Sequence, residues 1–129
     1  MQHDEVHGRG YVQHRVHEEI DRFRRHGDEF SLIVFKARPG GDGVPVRQRV
    51  GEAIDALNSV ARPSDVIARV FDDAIAMLLV RTGPRQLPQA LRRLERCLAL
   101  PAAVRWQVDA YAFPRDEEEL RHLSFLTAA

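Results

Sequence analysis

The sequence of 129 residues has one cysteine, one lysine, no long apolar run and no excess of either charge sign. Cys97 alone cannot build a disulfide framework, and its place among leucines predicts a small core residue. Nineteen basic residues balance nineteen acidic ones, so the net charge offers no argument for nucleic-acid binding, and no nucleic-acid partner is expected. No stretch approaches the length of a membrane span, and the N-terminus lacks an apolar signal segment, so a cytoplasmic protein without a membrane partner is expected.

The length suits one domain with one hydrophobic core, and we assign residues 1–129 to it. Apolar residues that recur every three to four positions predict helices, and continuous or alternating apolar runs predict strands. The predicted elements, in chain order, are a helix at 11–26, a strand at 30–35, a helix at 46–60, strands at 66–70 and 74–80, a helix at 87–98, a strand at 104–113 and a short helix at 116–123.

Without its terminal helices this order is βαββαβ, the ferredoxin-like or palm-type pattern of the α+β class. It predicts a four-stranded antiparallel sheet with two helices on one face, plus an N-terminal helix and a short C-terminal helix. The fold hosts many unrelated activities, so the function has to be argued from particular residues.

The hairpin predicted within residues 62–80 resembles the signature hairpin of the GGDEF family of bacterial diguanylate cyclases. In that family a strand ending in Ala-Arg-Leu turns through Gly-Gly-Asp/Glu-Glu-Phe into the next strand. Here Ala68-Arg69-Val70 is followed by Phe71-Asp72-Asp73-Ala74-Ile75. Five residues before this corner, Arg62-Pro63-Ser64-Asp65 resembles the Arg-x-x-Asp element of the family's inhibitory site.

Weaker matches extend over most of the chain. Residues 4–8 resemble the family's Asp-x-Leu-Thr-Gly entry motif, and residues 108–114 resemble its strand ending in Ser-x-Gly-x-Ala-x-x-Pro. Residues 27–30 also spell Gly-Asp-Glu-Phe, but they follow a predicted helix, so we interpret Gly27 as a helix stop. Together the motifs imply the palm-type fold of the family and a part in bacterial signalling.

The same resemblance implies that this chain has lost the diguanylate cyclase reaction. Diguanylate cyclases join two GTP molecules with the help of divalent metal ions, which need carboxylate oxygens. Asp73 keeps one acid. Two obstructing side chains stand where the family has glycines, but aspartate tolerates the left-handed conformation, so the turn can survive. At the degenerate active-site positions, Lys36 and Arg38 replace two aspartates and Phe71 and Asp72 replace two glycines. Asp73 retains an acid, and Ala74 replaces a glutamate. We therefore expect no catalytic residue, metal or cofactor.

Lys36 and Asp73 are expected on adjacent central strands, near the position of the family's metal. Because one acid is lost and the other is kept, we hypothesise an ion pair between them. Such a pair contributes little where it is exposed and more where it is buried.

Arg62 and Asp65 are the candidate ligand-binding residues. The resemblance implies that this element binds cyclic di-GMP, with arginine bonding a phosphate or a guanine edge in pairs and aspartate accepting from guanine N–H groups. An alternative is structural: residues 63–65 are ordinary turn chemistry, and Arg62 caps a helix C-terminus. Arg92, Arg93 and Arg96 are interpreted as a solvated helix face.

The leading hypothesis is a non-catalytic GGDEF-like regulatory or interaction module that binds cyclic di-GMP through Arg62 and Asp65. The alternative is a nucleotide-independent scaffold or dimerisation domain, with a weak nucleotide cyclase third. A protein partner or self-association follows from either of the first two.

Overall fold

A computed structural model describes residues 7–39, 43–98 and 105–127. Parts of the predicted entry motif, the loop at 39–43 and the start of the last strand lie outside these residues. The elements are α1 (Arg9–His26), β1 (Phe30–Arg38), α2 (Val46–Val60), β2 (Val66–Phe71), β3 (Ala74–Val80), α3 (Leu87–Leu98), β4 (Arg105–Phe113), α4 (Glu117–Arg121) and α5 (Ser124–Thr127).

The four strands form one antiparallel sheet in the order β2-β3-β1-β4, which confirms the predicted α+β fold. Strand β3 is apolar and buried along its whole length, and β1 is nearly so. A strand with apolar residues on both faces must be covered on both faces, which explains why these two strands are central. The alternating strand β4 lies at one edge, where only part of its surface is covered.

Each face of the sheet has its own core. Ile33, Phe35 and Ala37 of β1 point to a core shared with α2 and α3. Phe30 and Leu32 point to a second core shared with α1, α4 and α5. The predicted pair of helices thus occupies one face, and the terminal helices close the other. Full burial of side chains of this size stabilises the fold by roughly 1.5–3 kcal/mol each.

The ends of the elements follow local chemistry. Gly27 adopts a left-handed conformation (φ 77°) and donates its N–H to the Phe23 carbonyl at 2.7 Å, so α1 ends where the sequence predicts. The predicted final helix is two short helices, because the chain turns at His122 and Leu123 before Phe125 inserts into the second core. Within the described ranges, no helix has the length and apolar content needed to cross a bilayer.

Candidate functional site

Arg62 and Asp65 face each other across the turn that joins α2 to β2. The Asp65 carboxylate accepts the Arg62 backbone N–H at 2.8 Å and the guanidinium Nη2 at 2.9 Å, and Nε lies 3.2 Å from the same carboxylate. The Asp65 N–H donates to the Arg62 carbonyl at 3.0 Å, which closes the turn. The Asp65 side chain is 0% exposed and that of Arg62 is 45% exposed. The buried Asp65 carboxylate therefore fixes the position of the Arg62 guanidinium. Of these two side chains, only that of Arg62 is exposed to solvent.

A second set of contacts fixes Arg62 against the end of β3. Its Nη2 donates to Thr82 Oγ1 at 3.1 Å and to the Val80 carbonyl at 3.3 Å. Thr82 is itself buried, and its carbonyl accepts the hydroxyl of buried Ser31 at 2.6 Å. The Arg62 side chain thus joins the start of β2 to the end of β3 and has a defined direction.

Arg62 opens onto a cavity of about 590 Å³ between the end of β3 and α3. Its lining has five arginines and no acidic side chain: Arg62, Arg81, Thr82, Gln86, Gln89, Ala90, Arg92, Arg93 and Arg96. Arg93 also donates to the Val60 carbonyl at 3.3 Å, which ties α3 to the end of α2. A concave surface of this composition attracts anions strongly.

The grouping of these arginines was not predicted from the sequence. The spacing of positions 92, 93 and 96 places them on one face of α3, but it does not say what that face meets. Arg81 carried no signal as a ligand residue. In the structure it has a φ of 50°, and it is the one non-glycine residue with positive φ in the described part of the chain. Strained backbone of this kind is concentrated at functional sites.

The corner that resembles the GGDEF signature is a tight turn at Asp72 and Asp73. The turn survives as expected, although neither aspartate adopts a positive φ. Instead, the register shifts between Arg69 and Phe71, and Arg69 Nη1 donates to the Asp72 carbonyl at 3.1 Å. This bulge supplies the twist that a left-handed residue would otherwise give. Burial, and then the charge of Arg47, lower the pKa of Arg69.

Phe71 packs at the corner instead of standing free. Its ring makes an edge-on contact with Phe125 at 6.3 Å, and the Arg9 guanidinium lies 5.5 Å from its centre. The residue is still 40% exposed. A phenyl ring therefore occupies space beside the turn that a glycine would leave open to a phosphate.

Lys36 lies near the end of β1, opposite Ala74 of β3 and Gln107 of β4. It is exposed, and it makes no ion pair with Asp73, so the hypothesised pair is wrong. The contact between these segments is a backbone one, from the Ala37 N–H to the Asp73 carbonyl at 2.8 Å.

The corner does not fit a divalent cation. Lys36 and Ala74, which pair in the sheet next to Asp73, add no carboxylate to the corner, and the side chain of Arg38 donates to Gln107. Among residues 7–39, 43–98 and 105–127, no three His, Cys, Asp or Glu side chains come together in a way that could hold a metal.

The chain resembles known proteins in its fold. No protein-family model and no curated protein matches the chain. Among solved structures, a DGC protein from Thermotoga maritima is similar over 94% of this chain and 92% of its own, with a TM-score of 0.74 and 14% identity. A sensory box/GGDEF family protein from Caulobacter crescentus has a TM-score of 0.70 and 18% identity, over 84% of this chain and 80% of its own.

The diguanylate cyclase SiaD from Pseudomonas aeruginosa, solved in complex with its activator SiaC, has a TM-score of 0.69 and 19% identity. The match covers 80% of this chain and 45% of the SiaD chain. These similarities establish the fold of GGDEF and diguanylate cyclase domains, which the hairpin motif had predicted. At such low identity they carry the fold alone.

Proposed function

We propose that this chain is a catalytically silent, GGDEF-like regulatory module of bacterial cytoplasmic signalling that binds cyclic di-GMP at the Arg62 cavity. The observation that carries the proposal is the meeting of Arg62 with four further arginines around one concave surface. The fold similarity supports it, because the Arg-x-x-Asp element occupies the turn before the β2–β3 hairpin in both the sequence pattern and the structure.

The chemistry of the cavity suits a cyclic dinucleotide. The ligand has two phosphates and two guanine edges, and arginine forks bond both kinds of group in pairs. The volume of about 590 Å³ lies in the usual range of small-molecule sites, roughly 300–1,000 Å³. Gln86 and Gln89 add amide groups that can pair with a base edge.

The structure favours a different role for Asp65 from the one the resemblance implies. Its carboxylate is fully buried and already accepts the backbone and guanidinium of Arg62. We propose that Asp65 positions Arg62 and that the arginines make the ligand contacts.

Catalysis is not part of the proposal, because the corner has the wrong donors for a metal ion. Lys36 places a positive charge on β1, Ala74 has no oxygen, and Phe71 fills space beside the turn. Phosphoryl transfer between nucleotides depends on positioning and on neutralisation of charge by metal ions. The residues present supply neither at this corner.

Isothermal titration calorimetry of the whole chain with cyclic di-GMP tests the binding. We expect saturable binding by the unmodified protein and at least a tenfold loss of affinity in Arg62→Ala. Arg24→Ala removes an exposed arginine of α1, outside the cavity, and should leave the affinity unchanged.

A second titration, with inorganic pyrophosphate, serves as the control for nonspecific anion binding, because such binding depends on charge alone. We expect cyclic di-GMP to bind at least tenfold more tightly than pyrophosphate under the same salt. Equal heats for the two anions, or cyclic di-GMP binding that survives Arg62→Ala, would overturn the proposal and leave the nucleotide-independent scaffold as the better hypothesis.

A protein partner is the second part of the proposal. A protein of the same fold, SiaD, was solved in complex with its activator SiaC. A silent module of this fold would act through contact with another protein or with itself. The scaffold hypothesis shares this expectation, and the open edge of the sheet gives it a specific surface.

A further inference from the structure

Strand β4 leaves one edge of the sheet open. It pairs with β1 along its whole length, from Arg105 to Phe113, without a break in register. The sheet order ends at β4, so no described strand lies on its other side. A strand of nine residues with a free edge is a template for a further strand.

The direction of the free backbone groups follows from Ala112. Its N–H donates to Asp116 Oδ2 at 2.9 Å and its carbonyl accepts the Asp116 N–H at 2.7 Å, so both groups point away from β1. Backbone groups alternate in direction along an antiparallel strand. Trp106, Val108 and Ala110 therefore direct their N–H and carbonyl groups outward too, and no partner for them is found within the described ranges.

We infer that this edge pairs with β4 of a second copy of the chain, antiparallel, about a two-fold axis at Gln107. Such pairing joins the two four-stranded sheets into one continuous sheet. It gives hydrogen bonds to Trp106 and Val108 of both copies, because these two residues become opposite each other.

The side chains select this register. Hydrogen bonds between the two copies form only where residues whose backbone groups point away from β1 lie opposite each other. These residues occupy every second position of β4, so the two-fold axis passes through a residue and not between two residues. An axis at Gln107 places Arg105 opposite Asp109 of the second copy, and the same pair recurs on the other side of the axis. An axis at Asp109 would oppose two aspartates, and an axis at Val108 would leave Arg105 opposite Tyr111. Cross-strand pairs of opposite charge stabilise a sheet, and like charges destabilise it.

The two faces of the edge suit the same arrangement. Arg105, Gln107 and Asp109 are exposed on one face, where paired charges remain in water. Trp106 and Val108 are half-buried on the face covered by α2 and α3. Across the axis each of these apolar side chains would gain an apolar neighbour from the other copy, which extends the core over the junction.

This surface lies away from the proposed ligand cavity. Residues 105–109 pair with Val34 to Arg38, whereas Val80, beside Arg62, pairs with Phe30 at the other end of β1. Self-association and cyclic di-GMP binding can therefore be tested separately, and failure of one leaves the other standing.

Sedimentation equilibrium over a range of protein concentrations tests the pairing by charge exchange. We expect the unmodified chain to be a dimer, and Asp109→Arg or Arg105→Asp to weaken dimerisation at least tenfold by placing like charges opposite each other. The double variant carrying both changes restores opposite pairs and should restore the dimer. Circular dichroism checks that these exposed substitutions keep the fold.

Disulfide trapping tests the register itself. In a Cys97→Ser background, Gln107→Cys brings two thiols opposite each other on the axis, and mild oxidation should link the two copies. Val108→Cys, one position away, should not cross-link. A monomer at all concentrations, a double variant that stays as weak as the single ones, or preferential cross-linking at position 108 overturns the inference.

Discussion

At the scale of single residues, the Arg-x-x-Asp pattern has a structural role that leaves room for the proposed binding role. The buried Asp65 carboxylate fixes the turn and the Arg62 guanidinium, while the exposed part of Arg62 faces the cavity. The two interpretations that the sequence left open, a turn and a ligand site, are therefore compatible. In the proposal, Asp65 carries the structural role and Arg62 the binding role.

Asp65→Ala should lower the free energy of unfolding by about 1–3 kcal/mol, because it leaves the Arg62 backbone N–H and the Arg62 guanidinium without this acceptor. Urea denaturation measures the change. Lys36→Ala serves as the control, since Lys36 is exposed and makes no ion pair within the described ranges; it should leave the midpoint unchanged. Equal losses in both variants would contradict the role given to Asp65.

Arg81→Gly separates stability from binding at the same site. Glycine adopts a positive φ without strain, so the variant should be as stable as the original or more stable by up to about 1 kcal/mol. It also removes one arginine of the cavity, so its affinity for cyclic di-GMP should fall. Thermal unfolding and calorimetry on one preparation measure both quantities. A variant that binds as tightly as the original would remove Arg81 from the proposed site.

At the scale of elements, the junction of β4 with α4 depends on one carboxylate. Asp116 accepts the Ala112 N–H at 2.9 Å and two nitrogens of Arg115. The contact with Arg115, and to a smaller extent that with the Ala112 N–H, lowers the pKa of Asp116 below the usual 3.8. The same contacts close the outer edge of β4 at its C-terminal end, which confines the open edge to the earlier part of the strand.

The pKa of Asp116 sets an acid-side dependence of stability. A carboxyl whose pKa is lower in the folded state stabilises the protein above its unfolded pKa, and this contribution is lost as the pH falls through the folded value. The free energy of unfolding should therefore decrease below about pH 4. Asp116→Asn should be less stable near neutral pH by about 1 kcal/mol and should lose less on acidification. Urea denaturation between pH 3 and pH 7 compares the two proteins. If the free energy of unfolding fell equally in both on acidification, Asp116 would not be the cause of the pH dependence.

At the scale of the whole molecule, the two regions that the resemblance singles out lie at opposite ends of the sheet. The corner at Asp72 and Asp73 is next to Lys36, whereas the Arg62 cavity is next to Val80. Because they share no described side-chain contact, loss of cyclase chemistry at one end does not require loss of ligand binding at the other. The proposal of a regulatory site in a catalytically silent chain is therefore consistent with the geometry of the fold.

Incubation of the whole chain with GTP and either magnesium or manganese should give no cyclic di-GMP, because the corner offers Asp73 beside Lys36 and Ala74. Ala74→Glu adds back one acid and should remain inactive, since the Lys36 ammonium still opposes a cation. Chromatographic separation of the nucleotides provides the measurement. Product above the no-enzyme control in the unmodified protein would reverse the assignment as a silent module.

The sequence by itself determined the elements and their order. Strand β3, the helix spacing of α2 and α3, and the stop at Gly27 follow from local chain geometry, which periodicity and glycine conformation record directly. The residue pattern of the hairpin likewise indicated a fold that the solved structures share. Features that depend on a single segment were therefore predicted correctly, apart from details such as the final helix, which is two short helices in the structure.

Only the tertiary structure decided which distant side chains meet. It buried Asp65 under Arg62, kept Lys36 and Asp73 from pairing, and brought Arg81 and the α3 arginines to the same cavity. The physical reason is that such contacts depend on how α3 packs beside the end of β3, at sequence separations that a local pattern does not record. The open edge of β4 was equally invisible, because a strand becomes an edge only through the order in which the sheet is assembled.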